Sequence, residues 1–283
     1  MRLILLAVVA WSANGCTTIK PADDGRQAAV PPVFSHELLD RVLATHVDED
    51  GRVDYTALKA DPGDLDAYYL QVSRYSPDSH PDLFPGREDQ LAYWINAYNA
   101  AILKVEITHY PIAGVADVTP PGILFFMPEK SGFFLFQRVV FGGDATSLYI
   151  LENDLIRERF AEPRIHFALN CASIGCPNLP RRAFTAANLD AELDRETHRF
   201  LAEARNLRVD TTARRIYLSP LFGWYENDYV DWLAAQTGSG QVGLLDYVAL
   251  YAPEGTRLAD GEGPYEVEFL DYDWDLNDRD TAD

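Results

Sequence analysis

The stretch RIHFALNCASIGCPNLP, Arg164 to Pro180, brings a histidine and two cysteines into a short run that starts apolar and ends in turn residues. A thiol with an imidazole base about 3 Å away could act as a nucleophile on an amide or thioester. Two cysteines could instead form a disulfide, and cysteine together with histidine could bind a metal ion. The rest of the sequence has to distinguish these three chemistries.

The apolar alternation of residues 164–171 is typical of a β-strand. In a strand, His166 and Cys171 point to opposite faces and lie roughly 16 Å apart, so His166 is not automatically the base for Cys171. Cys171 nevertheless enters the turn CASIGCP, whose backbone N–H groups could stabilise an oxyanion. A functional thiol and a disulfide to Cys176 therefore both stay open. Metal binding is the weakest interpretation, because two cysteines and one histidine fall short of a four-ligand site. Neither a metal nor a cofactor is expected.

The segment QLAYWINAYNAAILK predicts the most buried helix of the chain. Large apolar side chains follow the helical period on one side and alanines fill the other, so the helix is apolar nearly all round. Asn96 and Asn99 interrupt this pattern, and buried amides need hydrogen-bond partners. They either tie neighbouring loops to the helix or line a site in which one of them orients a catalytic histidine.

The remaining patterns mix helices and strands without a regular βαβ rhythm. A strand near residues 138–141 precedes a helix that carries Glu152, and a β-hairpin over residues 207–218 leads into a further helix. Periodic segments continue to the end without a long linker or an internal repeat. The sequence predicts a single α+β domain over residues 34–283, with mixed helices around a small, mostly antiparallel sheet.

The N-terminus has the pattern of an export signal. A nine-residue apolar run, Leu3 to Trp11, is too short to span a bilayer and is followed by SANGC, which looks like a lipobox. We expect residues 1–16 to be a signal peptide with lipid attached at Cys16; the alternative is a plain signal peptide that is cleaved nearby. Residues 17–33, polar and proline-rich, are expected to be a flexible tether. The domain would then lie on the periplasmic face of a bacterial membrane, more readily the outer than the inner one, where disulfides persist.

The charge of the chain argues against nucleic-acid binding. It has 24 basic and 44 acidic residues and a formal net charge of -20, which a phosphate backbone would repel. The final stretch, residues 265–283, contains eight acidic residues and one arginine and is expected to be a solvated acidic end.

Four motifs together, in this order, resemble the DUF547 family: QLAYWINAYNAAILK, RIHFALNCASIGCPNL, RIYLSPLFGWYENDY and VEFLDYDWDLND. The resemblance implies a bacterial or plant protein of uncharacterised biochemistry, whose domain follows a coiled coil and is associated with partner binding in plant members. A papain- or transglutaminase-like architecture is conceivable by analogy. One position departs from the family, in which the segment similar to SLYILENDLIR commonly carries Glu-His; here Glu152 is followed by Asn153. The positions carried over are Trp94, Asn96, Tyr98, Asn99, His166, Cys171, Pro177, Trp224, Tyr225 and Asp228.

Two functions follow as hypotheses. The first is a cysteine-dependent hydrolase or acyl transferase, with Cys171 as nucleophile and His166, Asn96, Asn99 and Glu152 as its supporting residues. The second is a non-catalytic binding or scaffold domain of the cell envelope with a Cys171–Cys176 disulfide. The binding residues would be Trp94, Tyr98, Trp224, Tyr225 and Asp228. The partner, a protein or a small molecule, is not specified by the sequence.

Overall fold

A computed structural model describes residues 16–21, 30–124, 126–260 and 263–281 of the chain. The signal peptide expected over residues 1–16 lies outside these ranges except for Cys16, which is exposed. The α-helices are α1 Glu37–His46, α2 Tyr55–Ala60, α3 Gly63–Arg74, α4 Arg87–His109, α5 Ser131–Phe134, α6 Leu148–Ile150, α7 Glu158–Phe160, α8 Leu189–Ala202, α9 Pro220–Trp224, α10 Glu226–Thr237 and α11 Leu244–Tyr251. The strands are β1 Thr17–Thr18, β2 Gln137–Phe141, β3 Asp144–Ser147, β4 Leu207–Asp210, β5 Arg215–Leu218, β6 Ala259–Asp260, β7 Gly263–Pro264 and β8 Glu266–Phe269. Within these ranges, no helix is long and apolar enough to cross a bilayer.

Helix α4 is the centre of the larger hydrophobic core. Its side chains from Leu91 to Leu103 are all buried, which confirms the prediction made from its apolar circumference. Helices α2 and α3 pack against it, and α1 packs against α2 and α3. A second apolar cluster forms around Phe167, Phe222 and Tyr229, where α8, α10 and α11 meet.

The strands form three small sheets in the described part of the chain. One has the order β1-β2-β3, the second β4-β5-β8, and the third pairs β6 with β7. The α+β class is confirmed, and so is the hairpin, whose strands β4 and β5 pair antiparallel. The expected single sheet is instead divided, and β1–β2 and β5–β8 are parallel pairs. A papain-like arrangement is not confirmed.

The start of the expected tether is attached to the domain. Thr17 and Ile19 donate backbone hydrogen bonds to Phe136 and Arg138, and the hydroxyl of Tyr69 donates to the Ile19 carbonyl at 2.8 Å. Ile19 is buried. Residues 17–19 are therefore not the free tether that we expected. They are held to the domain by these backbone hydrogen bonds and by the burial of Ile19.

Residues 164–171 do not form the expected strand, and the parity argument built on it is wrong. Pro163–Phe167 is a 3-10 helix, capped by the carboxylate of Glu162, which accepts from the Arg164 N–H at 3.2 Å. Residues 168–178, called the cysteine loop below, then turn away from it. The backbone of this loop bonds to side chains and to the C-terminal segment, and His166 and Cys171 border the same cavity.

The C-terminal segment, residues 272–278, packs over the cysteine loop. Ile174 and Gly175 donate to the carbonyls of Asp275 and Asp273, and Asn277 donates to the Ala172 carbonyl. Asp278 is buried. The expected solvated acidic end is therefore corrected for residues 276–278, which are buried, whereas Asp273 and Asp275 are exposed and only their backbone is bonded to the domain.

Candidate functional site

A cavity of about 450 Å³ lies between α4, the cysteine loop, α9 and the C-terminal segment. Its volume is in the usual range of small-molecule sites. Most of its wall is aromatic or apolar, with a few polar groups. The lining residues are Tyr98, Phe134, Tyr149, Glu152, Asn153, His166, Leu169, Cys171, Cys176, Pro177, Leu221, Trp224, Tyr225, Tyr272 and Trp274.

Cys171 and Cys176 are joined in a disulfide whose Cα atoms are 6.1 Å apart. The Cys171 N–H points at Cys176 Sγ, 2.9 Å away. The hydroxyl of Tyr272 lies 3.2 Å from Cys171 Sγ and 3.1 Å from Cys176 Sγ. The disulfide thus forms part of the cavity wall, and both sulfurs contact one tyrosine from the C-terminal segment.

Two asparagines hold the cysteine loop in place. Asn99 on α4 donates to the Ala168 carbonyl and accepts from the Asn170 N–H, both at 3.0 Å. Asn170 in turn donates to the Pro177 carbonyl at 2.8 Å and accepts from the Ala172 N–H at 2.9 Å. Ala172 has a φ of 65°, a conformation that costs energy for a residue with a Cβ. These side-chain bonds stabilise that strained turn beside the disulfide.

His166 is buried and bonded to a carboxylate. Its Nε2 lies 2.7 Å from Asp228 Oδ2, and its ring stacks on Tyr225 with centroids 3.9 Å apart. Burial lowers the pKa of His166, although the bond to Asp228 opposes this. Burial alone would raise the pKa of Asp228, but hydrogen bonds from His166 and Arg157 outweigh it and lower that pKa to about 2. A neutral His166 that donates from Nε2 to the charged Asp228 keeps its lone pair on Nδ1.

Arg157 completes this network from the other side of Asp228. Its Nε and Nη2 donate to the two carboxylate oxygens at 2.9 and 3.1 Å, and its guanidinium lies 4.5 Å from the centre of the Tyr225 ring. Asn153 accepts from Arg157 Nη1. Asn153 therefore positions an arginine, which in turn holds Asp228.

Glu152 is fixed by two tyrosine hydroxyls. Tyr98 donates to Oε2 at 3.0 Å and Tyr225 donates to Oε1 at 2.8 Å. Burial, followed by the charge of Glu152, raises the pKa of both tyrosines, so they stay protonated donors. The cavity thus contains a carboxylate in a fixed orientation.

The backbone around Glu152 and Asn153 is π-helical, over Leu151–Arg157 between α6 and α7. Such wider turns are rare and occur frequently at functional sites. The buried Leu151 and Ile156 anchor the segment to the core. Glu152 and Asn153 border the cavity, while Arg157 reaches Asp228.

An aromatic stack forms the outer part of the wall and consists of Trp224, Tyr272 and Trp274. The rings of Trp224 and Trp274 are nearly parallel, with centroids 6.0 Å apart, and Tyr272 contacts both. Trp224 is 51% exposed although it is large and apolar. The Nζ of Lys130 lies 4.1 Å from the centre of the Trp274 ring.

Comparison with known protein families finds a match for part of the chain. Residues 82–201 match the family model described as "Protein of unknown function, DUF547". This match covers less than half of the chain and supports its similarity to the DUF547 family over that segment. No curated protein and no solved structure matches the chain. The DUF547 match contains α4, the π-helical segment and the cysteine loop, whereas the aromatic stack, Tyr225 and Asp228 follow it in the sequence.

The structure separates the residues carried over from the DUF547 motifs into two groups. Tyr98, His166, Cys171, Pro177, Trp224 and Tyr225 border the cavity, and Asp228 lies behind His166. Trp94 is buried in the core, and Asn96 bonds in both directions to the backbone of Phe184, so neither lines the cavity. The amide of Asn99 also bonds only to backbone groups. Of the two roles expected for these asparagines, Asn99 therefore has that of tying a neighbouring loop to the helix.

Sequence reasoning missed the contributions of Tyr272 and Arg157. Tyr272 lies in the closing DUF547-like motif, where DYDWD repeats aromatic residues every second position; this was the available signal. For Arg157, the sequence indicates only that it lies on a predicted helix, and nothing in the sequence indicates its contact with Asp228. In the part of the chain that the structure describes, no group of three or more metal-ligating side chains is present.

Proposed function

We propose that this DUF547 protein is an exported envelope domain that binds a small ligand in the aromatic cavity. The observation that carries the proposal is the disulfide in the cavity wall. With Cys171 bonded to Cys176, the cavity has no free thiolate, while its volume, aromatic lining and few fixed polar groups suit a binding site.

Preorganisation of the wall supports binding. Glu152 is held by two tyrosines, His166 by Asp228 and a stacked ring, and the cysteine loop by Asn99. A ligand that enters such a site does not have to order these groups, so less of its interaction free energy is lost.

The test is a ligand-observed NMR screen of a chemically diverse fragment library against the purified protein. Trp224→Ala removes a half-exposed wall residue, and Leu250→Ala removes an equally exposed apolar side chain, 51% exposed, from α11. We expect hits whose signals are weakened by Trp224→Ala and unchanged by Leu250→Ala. Hits that are indifferent to Trp224→Ala, or the absence of hits, would contradict the proposal.

Export and anchoring are supported by the N-terminal sequence and by the exposed Cys16. Because residues 17–19 are attached to β2, a lipid on Cys16 would hold the domain close to the membrane surface. Expression of the full chain in a Gram-negative host, followed by mass spectrometry of the membrane fraction, tests this. An N-terminal diacylglyceryl Cys16 is expected, and an unprocessed or unmodified chain would contradict it.

A second candidate function is favoured by the His166–Asp228 pair, because His166 borders the same cavity as Cys171. After reduction of the disulfide by a dithiol, Cys171 could give its proton to Nδ1 of His166 and act as the nucleophile of an acyl transferase or hydrolase. Iodoacetamide labelling of the reduced protein against pH tests this function. A Cys171 thiol pKa below its ordinary value, raised by His166→Gln, is expected of the enzyme; an ordinary thiol pKa would exclude it.

A further inference from the structure

We propose that the cavity binds a small organic ammonium group, held by the carboxylate of Glu152 and by the faces of the surrounding rings. The inference rests on the proposed function and names its class of ligand. Among the residues that the structure describes, the wall of the cavity contains seven phenylalanine, tyrosine and tryptophan rings, one carboxylate, and no lysine or arginine. A wall of this composition matches a ligand with positive charge and apolar bulk.

The carboxylate of Glu152 has acceptor capacity left for an ammonium with N–H donors, and its negative charge attracts a quaternary ammonium as well. Each of its oxygens receives one tyrosine hydroxyl, whereas a carboxylate offers about four acceptor positions. The guanidinium of Arg157 affects Glu152 electrostatically, but its donors are directed to Asp228 and Asn153. In the described part of the chain, no basic side chain forms a salt bridge with Glu152.

Two rings of the cavity wall already carry a cation over one face. Lys130 places its ammonium over Trp274 of the aromatic stack, and Arg157 places its guanidinium over Tyr225, which lies outside the stack. Trp224 presents a half-exposed ring to the same cavity. Ring faces are negative and attract cations, most strongly when the site is shielded from water.

The negative charge of the whole protein also favours a cationic ligand. A formal net charge of -20 raises the local concentration of small cations near the surface and disfavours anionic ligands. A neutral ligand of the same shape would gain nothing from this field. The inference therefore predicts selectivity for charge rather than for shape alone.

The experiment is an NMR titration of the purified protein with choline and with 3,3-dimethylbutan-1-ol, in which carbon replaces the choline nitrogen. We expect choline to bind with a dissociation constant about tenfold lower than that of the alcohol. Glu152→Gln, which keeps a side chain that can bond to both tyrosines, should abolish this preference. Asp154→Asn is the matched control, because Asp154 is an exposed carboxylate in the same π-helical segment and should leave the preference intact.

Thermal unfolding of each variant shows that it is folded before its affinity is compared. Equal affinity for choline and the alcohol would overturn the ammonium class, and so would equal effects of Glu152→Gln and Asp154→Asn. If both probes bind equally and Trp224→Ala weakens both, the cavity is a binding site and only its ligand class is wrong. If neither probe binds, the ammonium class is overturned, while the fragment screen decides the binding function separately.

Discussion

His166 is the residue whose surroundings determine its chemistry most completely. Burial lowers the pKa of the imidazole, and a neutral ring beside the charged Asp228 would donate from Nε2. Tyr225 covers one face of the ring at a centroid distance of 3.9 Å. In that tautomer Nδ1 carries the lone pair that is left to accept a hydrogen bond from a ligand or to act as a base.

Asp228→Asn tests the residue-scale network. The substitution removes the charge that His166 and Arg157 share, and we expect it to lower the free energy of unfolding by about 1–3 kcal/mol. Because the pKa of Asp228 is lowered to about 2, this contribution is complete above pH 4 and is lost as the pH falls toward 2. Urea unfolding at pH 7 and pH 3 checks the sign. Asp231→Asn, an exposed neighbour on α10, should have little effect, and an equal effect there would contradict the account.

The disulfide has its own consequence at this scale. Closing a loop with a sequence separation of 5 stabilises the folded chain by about 2 kcal/mol in the chain-entropy description. Reduction, or the double substitution Cys171→Ser with Cys176→Ser, should lower the stability by about this amount. Mass spectrometry should show a gain of two hydrogens on reduction, with Cys16→Ser as the control. Free thiols at Cys171 and Cys176 in protein purified from the periplasm would contradict the assignment.

At the scale of elements, α4 connects the core to the site. Tyr98 and Asn99 lie one residue apart on this helix; the first positions Glu152 and the second holds the cysteine loop. Asn96, one turn earlier, holds the segment around Phe184 instead. A single buried helix thus orients two different loops through amide side chains.

Asn99→Ala and Asn96→Ala separate these two connections. Each substitution leaves a buried N–H and a buried carbonyl without a partner, and we expect each to cost about 3 kcal/mol in urea unfolding. Only Asn99→Ala should also accelerate reduction of the disulfide by dithiothreitol, because only Asn99 restrains the cysteine loop. Equal reduction rates in both variants would show that Asn99 has no special effect on this loop.

Glu106 near the end of α4 gives a pH dependence. It is fully buried, neither carboxylate oxygen has a hydrogen-bond partner among the described residues, and burial raises its pKa to about 8. The folded state therefore holds a proton that the unfolded state releases near pH 4.5, so stability should fall as the pH rises from 5 to 8. The decrease amounts to at most about 1.4 kcal/mol per pH unit. Glu106→Gln should flatten this dependence in urea unfolding, whereas Glu88→Gln, exposed on the same helix, should not.

The sequence predicts some elements much better than others. The burial of α4 on all sides and the hairpin β4–β5 follow from the local spacing of apolar residues, which can be read directly from the sequence. Residues 164–171 were predicted as a strand because a short apolar alternation does not distinguish a strand from a buried 3-10 helix. Pro163, the Glu162 cap and the Asn99 side chain decide the conformation, and the last of these is distant in the sequence.

On the scale of the whole molecule, the cavity exists only because distant segments meet. Tyr98, Glu152, Cys171, Trp224 and Trp274 come from five separate parts of the chain. The sequence motifs indicate most of these residues individually. They do not indicate that these residues line one cavity, or that Trp94 and Asn96 lie outside it. Their meeting depends on tertiary packing and on the C-terminal segment that crosses the cysteine loop.

The most direct test of the binding cavity uses the indole N–H signals of the protein, assigned with single Trp→Phe variants. Trp224 and Trp274 border the cavity, Trp94 is buried in the core, and Trp232 borders a separate cavity beside Arg157. On titration with choline or a fragment hit, we expect saturable shifts of the Trp224 and Trp274 signals, with those of Trp94 and Trp232 unchanged. Saturable shifts at Trp232 alone, or at none of the four, would contradict this expectation.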